Sequence, residues 1–157
     1  MTRKSALWLV AAVLICEGAG LLGVLFTNSS VSGWYTTLVT PALNPPGWVF
    51  GPVWTLLYAL MGVSVYLVWR KKTNKKYKQA FMVFGGQLAL NALWSPLFFG
   101  AQNPGLALVD IVLLLLAILW TIKLFHTISR PAAYLLIPYV AWVGFATYLN
   151  LAIWLLN

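Results

Sequence analysis

Residues 106–125 read LALVDIVLLLLAILWTIKLF, a stretch with one acid near its start and one lysine near its end. In helical form at about 1.5 Å per residue it reaches roughly 30 Å, the thickness of the hydrocarbon layer of a bilayer. It does not alternate as a barrel strand would, so it reads as a transmembrane helix. Working outward, residues 5–26, 46–69, 80–100 and 132–156 have the same character. The whole chain, 1–157, is therefore expected to be one all-α membrane domain, a bundle of five transmembrane helices joined by short connections. Composition agrees: 62% of the residues are hydrophobic and 8% charged, against about 25% charged in a soluble domain. A soluble globule is excluded. The first stretch follows Arg3 and Lys4 as a leader would, but its apolar core is long and interrupted by Glu17, so it reads as a span that is kept.

Charge gives the orientation. The ten Lys and Arg against two acids leave a formal charge of +8, which in a soluble protein would suggest nucleic-acid binding. Here every basic residue falls on the N-terminal side of a five-span topology: Arg3 and Lys4, the group from Arg70 to Lys78, then Lys123 and Arg130. By the positive-inside rule the N-terminus is cytoplasmic and the C-terminus outside, in a multi-pass protein expected in a bacterial cell membrane. No nucleic-acid partner is expected. The single Cys16 excludes a disulfide framework, and His126, alone at the basic end beside Lys123 and Arg130, reads as an interfacial residue rather than a metal or haem ligand.

Between the first two spans, residues 27–45 form a long uncharged loop carrying Trp34-Tyr35. Two readings stand: an interfacial aromatic belt, or a lid over the outer mouth of the bundle. Asn44-Pro45-Pro46 reads as a helix start, with Asn44 as N-cap and proline in the first turn. Pro96 and Pro138 fall inside spans, where each disengages a carbonyl one turn back, of Ala92 and of Tyr134, so kinks are expected in the third and fifth.

Side chains three or four apart share a helix face, and that spacing gathers the unusual residues. Trp54, Tyr58 and Met61 align in the second span; Gln87, Asn91, Trp94 and Phe98 in the third; Trp142, Phe145 or Ala146, and Asn150 in the fifth. Amides in hydrocarbon need partners, so Gln87, Asn91 and Asn150 face the interior, as interhelical ties or as polar points in an aromatic pocket. Both acids lie within spans: Asp110 near a helix start that suits a carboxylate, Glu17 near mid-span and so expected to be protonated or bonded to another helix. Small residues recur at spacing four, in Ala12-Cys16-Gly20, Ala19-Gly23, Gly47-Gly51 and Gly85-Ala89, a pattern that serves close packing and dimerisation alike. No metal cluster, phosphate loop or nucleophile–base set can be assembled, so no cofactor is expected.

Taken together, several runs resemble the translocator protein family, also called tryptophan-rich sensory proteins or peripheral-type benzodiazepine receptors. They are Trp34-Tyr35 with Pro41; Asn44-Pro45-Pro46-Gly47-Trp48-Val49-Phe50-Gly51-Pro52-Val53-Trp54; Gly86-Gln87-Leu88-Ala89-Leu90-Asn91 with Trp94, Pro96 and Phe98-Phe99-Gly100; Ala107-Leu108-Val109-Asp110; and Pro138-Tyr139 with Trp142, Phe145-Ala146 and Leu149-Asn150. The resemblance implies a five-helix bundle, commonly a homodimer, with a pocket near the outer mouth closed by the first long loop. Its ligands would be porphyrins such as protoporphyrin IX and synthetic benzodiazepine- or isoquinoline-type compounds. Matching positions would line it with Tyr35, Pro45, Phe50, Trp54, Tyr58, Asn91, Trp94, Trp142, Ala146 and Asn150. Some bacterial members are similar in promoting light- and oxygen-dependent breakdown of bound porphyrin, which would give Trp54 and Trp142 a catalytic part. One departure is that Tyr148 is followed by no basic residue through Trp154, which argues against high-affinity sterol binding.

The implied function is a membrane receptor or sensor for porphyrins, as ligand or substrate; the alternative is a transporter of tetrapyrroles or lipids. The absence of an internal repeat or a broken helix pair weighs against alternating access.

Overall fold

The computed structural model describes residues 3–157, the side chain of Ser29 excepted. Its helices are α1 (Arg3–Val31), α2 (Phe50–Trp69), α3 (Tyr77–Ser95), α4 (Pro104–Ile128), α5 (Arg130–Leu135) and α6 (Ile137–Leu156), and no strand occurs among the described residues. Five segments are long and apolar enough to cross a membrane, Arg3–Asn28, Gly47–Trp69, Tyr77–Gly100, Pro104–Ile128 and Arg130–Leu156. These are the five expected spans, with ends moved by a few residues; α5 and α6 together form the fifth.

The spans close into a ring. α1 lies between α2 and α3, α3 packs on α4, α4 on both α5 and α6, and α5 returns to α2. Outward faces are apolar: Leu7, Leu14, Leu21 and Leu25 of α1 are all more than half exposed. In water such a surface would not be stable, whereas hydrocarbon requires it, since only helices satisfy every backbone polar group internally. The inward face of α1 is small. Val13 lies against Gly62, Gly20 against the ring of Tyr58, Gly23 against Ser95 and Phe26 against Gly100. The spacing-four residues of α1 therefore serve packing within the chain, while Gly47, Gly51 and Gly85 face open space.

Both expected kinks are present. Pro96 opens a turn of π-helix, Pro96–Gly100, in which Ala101 N–H bonds the Pro96 carbonyl five residues back at 2.8 Å. Pro138 sits in the first turn of α6, and the fifth span breaks at Leu136. The Asn44 cap is a correction. The second span begins as a 3-10 turn, Gly47–Val49, capped by the Pro46 backbone with no side-chain bond, and Asn44 instead donates its amide to the Tyr35 hydroxyl at 3.1 Å. Two consecutive prolines explain this: the residue before a proline is pushed out of the α region, and Pro46 has no N–H for Asn44 to cap. The Asn-Pro start occurs at Asn103-Pro104, where the Asn103 side chain accepts from Leu106 N–H at 3.0 Å.

Between the π turn and α4, Gln102 has φ of 50°, the one positive φ among the described non-glycine residues. A left-handed conformation suits glycine, so Gln102→Gly is expected to raise stability by about 0.5 kcal/mol, read from unfolding curves in mild detergent.

Candidate functional site

The three interior stripes meet as the spacing requires, and hydrogen bonds join them. Tyr58 Oη of α2 donates to Asn91 Oδ1 of α3 at 2.5 Å, and Asn91 Nδ2 donates to Tyr139 Oη of α6 at 2.9 Å. Tyr139 Oη donates back to Gln87 Oε1 of α3 at 2.7 Å, and Gln87 Nε2 reaches Met61 Sδ of α2 at 3.8 Å. The chain of bonds runs from α2 through α3 and α6 and returns to α2. Every member is buried. In hydrocarbon an unpaired amide or hydroxyl has no water to turn to, so a closed chain fixes the three helices in one register.

Aromatic rings surround this chain. Trp54 stacks on Tyr58, with centroids 5.5 Å apart, and meets the Tyr139 ring edge-on at 6.4 Å. Phe50 meets Trp142 edge-on at 5.8 Å. At the basic end α2 is tied to α5 by Ser64 Oγ donating to the Ala132 carbonyl at 2.7 Å. The α2 backbone approaches the fifth span closely through α5 rather than α6, and ring contacts, Phe50 to Trp142 and Trp54 to Tyr139, join α2 to α6. Ala146, one turn beyond Trp142, is half-buried against the same core.

A second cluster lies at the end away from the cations. Phe98 and Phe99 of the π turn are buried with Ala107 and Ile153, and Trp34, Tyr35 and Leu38 pack onto them. The ring of Tyr35 lies 6.3 Å from Phe98 and 5.7 Å from Phe99, and Trp34 lies 5.7 Å from Phe98. The loop is pinned at its far side, where the Asn157 side chain both accepts from Val39 N–H at 2.9 Å and donates to the Val39 carbonyl at 3.0 Å. The loop thus packs on the π turn and on the last residue of the chain. Trp94 joins the clusters: it stacks on Phe98 at 4.9 Å and donates its indole N–H to Asn150 Oδ1 at 2.9 Å, while Asn150 Nδ2 donates to the Pro104 carbonyl at 2.8 Å.

Nine of the ten expected lining residues thus fall in these two clusters or their seam. Pro45 is half-buried beside Asn44 in the loop and joins neither. Sequence spacing missed Tyr139, which lies on the Trp142–Asn150 face one turn earlier; extending that stripe backward would have found it. With both amides engaged by protein partners, Trp142 Nε1 is buried and has no partner among the described residues. Asp110 Oδ2 is likewise buried and unpartnered among the described residues. Since α4 starts at Pro104, Asp110 stands well into its second turn, where the helix dipole that was expected to favour it has faded. Glu17 is half-exposed on α1, and of its two expected states the bond to another helix is not formed among the described residues.

A comparison with known families matches residues 12–155 to the TspO/MBR family. The chain belongs to that family. Tryptophan-rich protein TspO of Chlorobaculum tepidum is 44% identical over 99% of both chains, and its Archaeoglobus fulgidus namesake 45% over 95% of this chain and 96% of its own. The translocator protein of Bos taurus is 40% identical over 92% of this chain and 87% of its own. Membership of the TspO/MBR family and the five spans together make the chain an integral, multi-pass membrane protein.

Proposed function

We propose that the chain is a receptor for porphyrins of the protoporphyrin IX type, bound between α2 and α6 under the lid. The observation that carries this is Trp142 Nε1, buried and unpartnered among the described residues, on a ring that packs against Phe50 and against the core holding Trp54, Tyr58 and Tyr139. A flat macrocycle offers large aromatic faces for those rings, and its pyrrole nitrogens or carboxylates would accept the free indole N–H. His126, the one histidine, is exposed at the basic end, so no axial imidazole reaches the rings and a metal-free tetrapyrrole fits better than haem. Other flat lipophilic compounds, the benzodiazepine and isoquinoline types among them, would use the same rings. In this reading the lid end faces outward, the basic end faces the cytoplasm, and the assembled form is a homodimer, for which the open small face around Gly85 would permit close helix approach.

The test is a protoporphyrin IX titration followed by quenching of tryptophan fluorescence. Trp142→Phe keeps the ring and removes the donor, so it should weaken binding about fivefold, the worth of one hydrogen bond. Adding Trp54→Phe should weaken it further, whereas Trp120→Phe, on the lipid face, should change nothing. Binding indifferent to the Trp54 and Trp142 pair would remove the site from this position. Illuminating the complex in air tests the catalytic extension: bound porphyrin should bleach faster than free porphyrin, and slower in the double variant.

A further inference from the structure

At the basic end a cavity of about 320 Å³ lies between the end of α2 and the α4–α5 junction, lined by Leu67, Arg70, Lys71, Ser129 and Pro131. It exists because the chain breaks there: Ser129 is extended, with φ −152° and ψ 103°, which parts the last turn of α4 from α5 beside α2. About one turn further along α2 the Ser64–Ala132 bond ties α2 to α5. Ser129 is the N-cap of α5 but its hydroxyl makes no capping bond. The residue is only 7% exposed, and among the described residues its hydroxyl has no partner, so it is left to the cavity.

We infer that this cavity is a binding site for the phosphate headgroup of an anionic phospholipid. Arg70 supplies a planar fork of donors that matches phosphate oxygens, Lys71 a second cation and Ser129 a neutral donor from below. No carboxylate of the chain competes for them. Glu17 stands about 20 Å along α1 from the basic end, and Asp110 about 27 Å from the end of α4, by helical rise. Leu67 and Pro131 form the apolar part of the wall, on the side where acyl chains would leave the headgroup for the hydrocarbon. A diffuse basic surface is a separate feature: Lys75, Lys76 and Lys78 belong to the same charge run but do not line the cavity.

The full-length chain, purified in mild detergent with mixed phosphatidylglycerol and phosphatidylcholine, would be examined by native mass spectrometry for retained lipid. The expected result is retention of phosphatidylglycerol over phosphatidylcholine by about tenfold or more. Arg70→Gln with Lys71→Gln should abolish that preference, Ser129→Ala should reduce it severalfold, and Lys75→Gln with Lys76→Gln, an equal loss of charge, should leave it intact. All four basic positions are exposed, so folding is not at stake. An equal loss in the Lys75 and Lys76 variant would overturn the site, as would no preference for the anionic lipid. Displacement by glycerol phosphate or inorganic phosphate at millimolar concentration would overturn the lipid assignment in favour of a free anion. None of these readings depends on porphyrin binding.

Discussion

Asn91→Leu is expected to be among the most damaging single substitutions in the bundle, lowering stability in detergent by about 3 kcal/mol. Leucine has the same branching and number of heavy atoms and is somewhat bulkier, so no cavity is created. The loss is polar. Tyr58 Oη loses its acceptor and Tyr139 Oη loses its donor, and both hydroxyls lie where no water replaces them. Each stranded group costs about 1–3 kcal/mol, softened because helices parted within a membrane find other partners. The substitution also reaches the ligand. Tyr58 carries Trp54 on its face, so a ring released from Asn91 leaves the indole less constrained and porphyrin affinity should fall along with stability. Tyr139→Phe is the informative comparison: it leaves one Asn91 N–H and one Gln87 carbonyl unpaired but adds no bulk, and should cost about half as much. Unfolding by titration with a denaturing detergent reads both; an Asn91→Leu protein as stable as the original would mean that the bond chain does not hold the helices.

How much of this was legible in the sequence depends on whether the deciding interaction is local. Span number, the gathering of the cations at one end and the two proline breaks follow from hydropathy, charge and the missing N–H, all properties of neighbours along the chain. The stripes were legible too, because helical spacing alone brings Asn91 and Trp94 to one face. What spacing does not give is the partner across the gap. It marked Gln87, Asn91 and Asn150 as needing bonds without saying that Tyr139 and the Pro104 carbonyl supply them. For the same reason Trp142, paired by sequence with Asn150, turned out to hold the free indole while Trp94 took the amide. The Asn-Pro signal was read at Asn44 and belongs to Asn103, a local rule defeated by the second proline at Pro46. For Glu17, expected to be protonated or bonded to another helix, the second alternative needs an inward face, and helix rotation, set by Gly20 and Gly23 packing on α2 and α3, leaves the residue at the side.

Two glycine substitutions should separate the frame from the site it carries. A Cβ at Gly62 would meet the backbone of Val13 at 2.5 Å from its Cα and 2.8 Å from its N, where neither helix has a flexible group to withdraw. Gly62→Ala must therefore push α1 off α2 and is expected to cost about 3 kcal/mol, the upper part of the range for overpacking. At Gly20 the obstacle is the ring of Tyr58, two further atoms of which would lie at 2.7 and 2.9 Å. A ring can swing aside, so the helices need not part. Swinging it, however, draws the hydroxyl away from Asn91 and unstacks Trp54. Gly20→Ala should then cost less stability than Gly62→Ala, about 1–2 kcal/mol, yet weaken porphyrin binding more per unit of stability lost. Measured together by detergent unfolding and porphyrin titration, the pair distinguishes a general loosening from damage at the site. If both substitutions lowered affinity only in proportion to stability, Tyr58 would be a packing residue and no part of the pocket. If Gly20→Ala alone departed from that proportion, α1 would be setting the shape of the ligand site from behind.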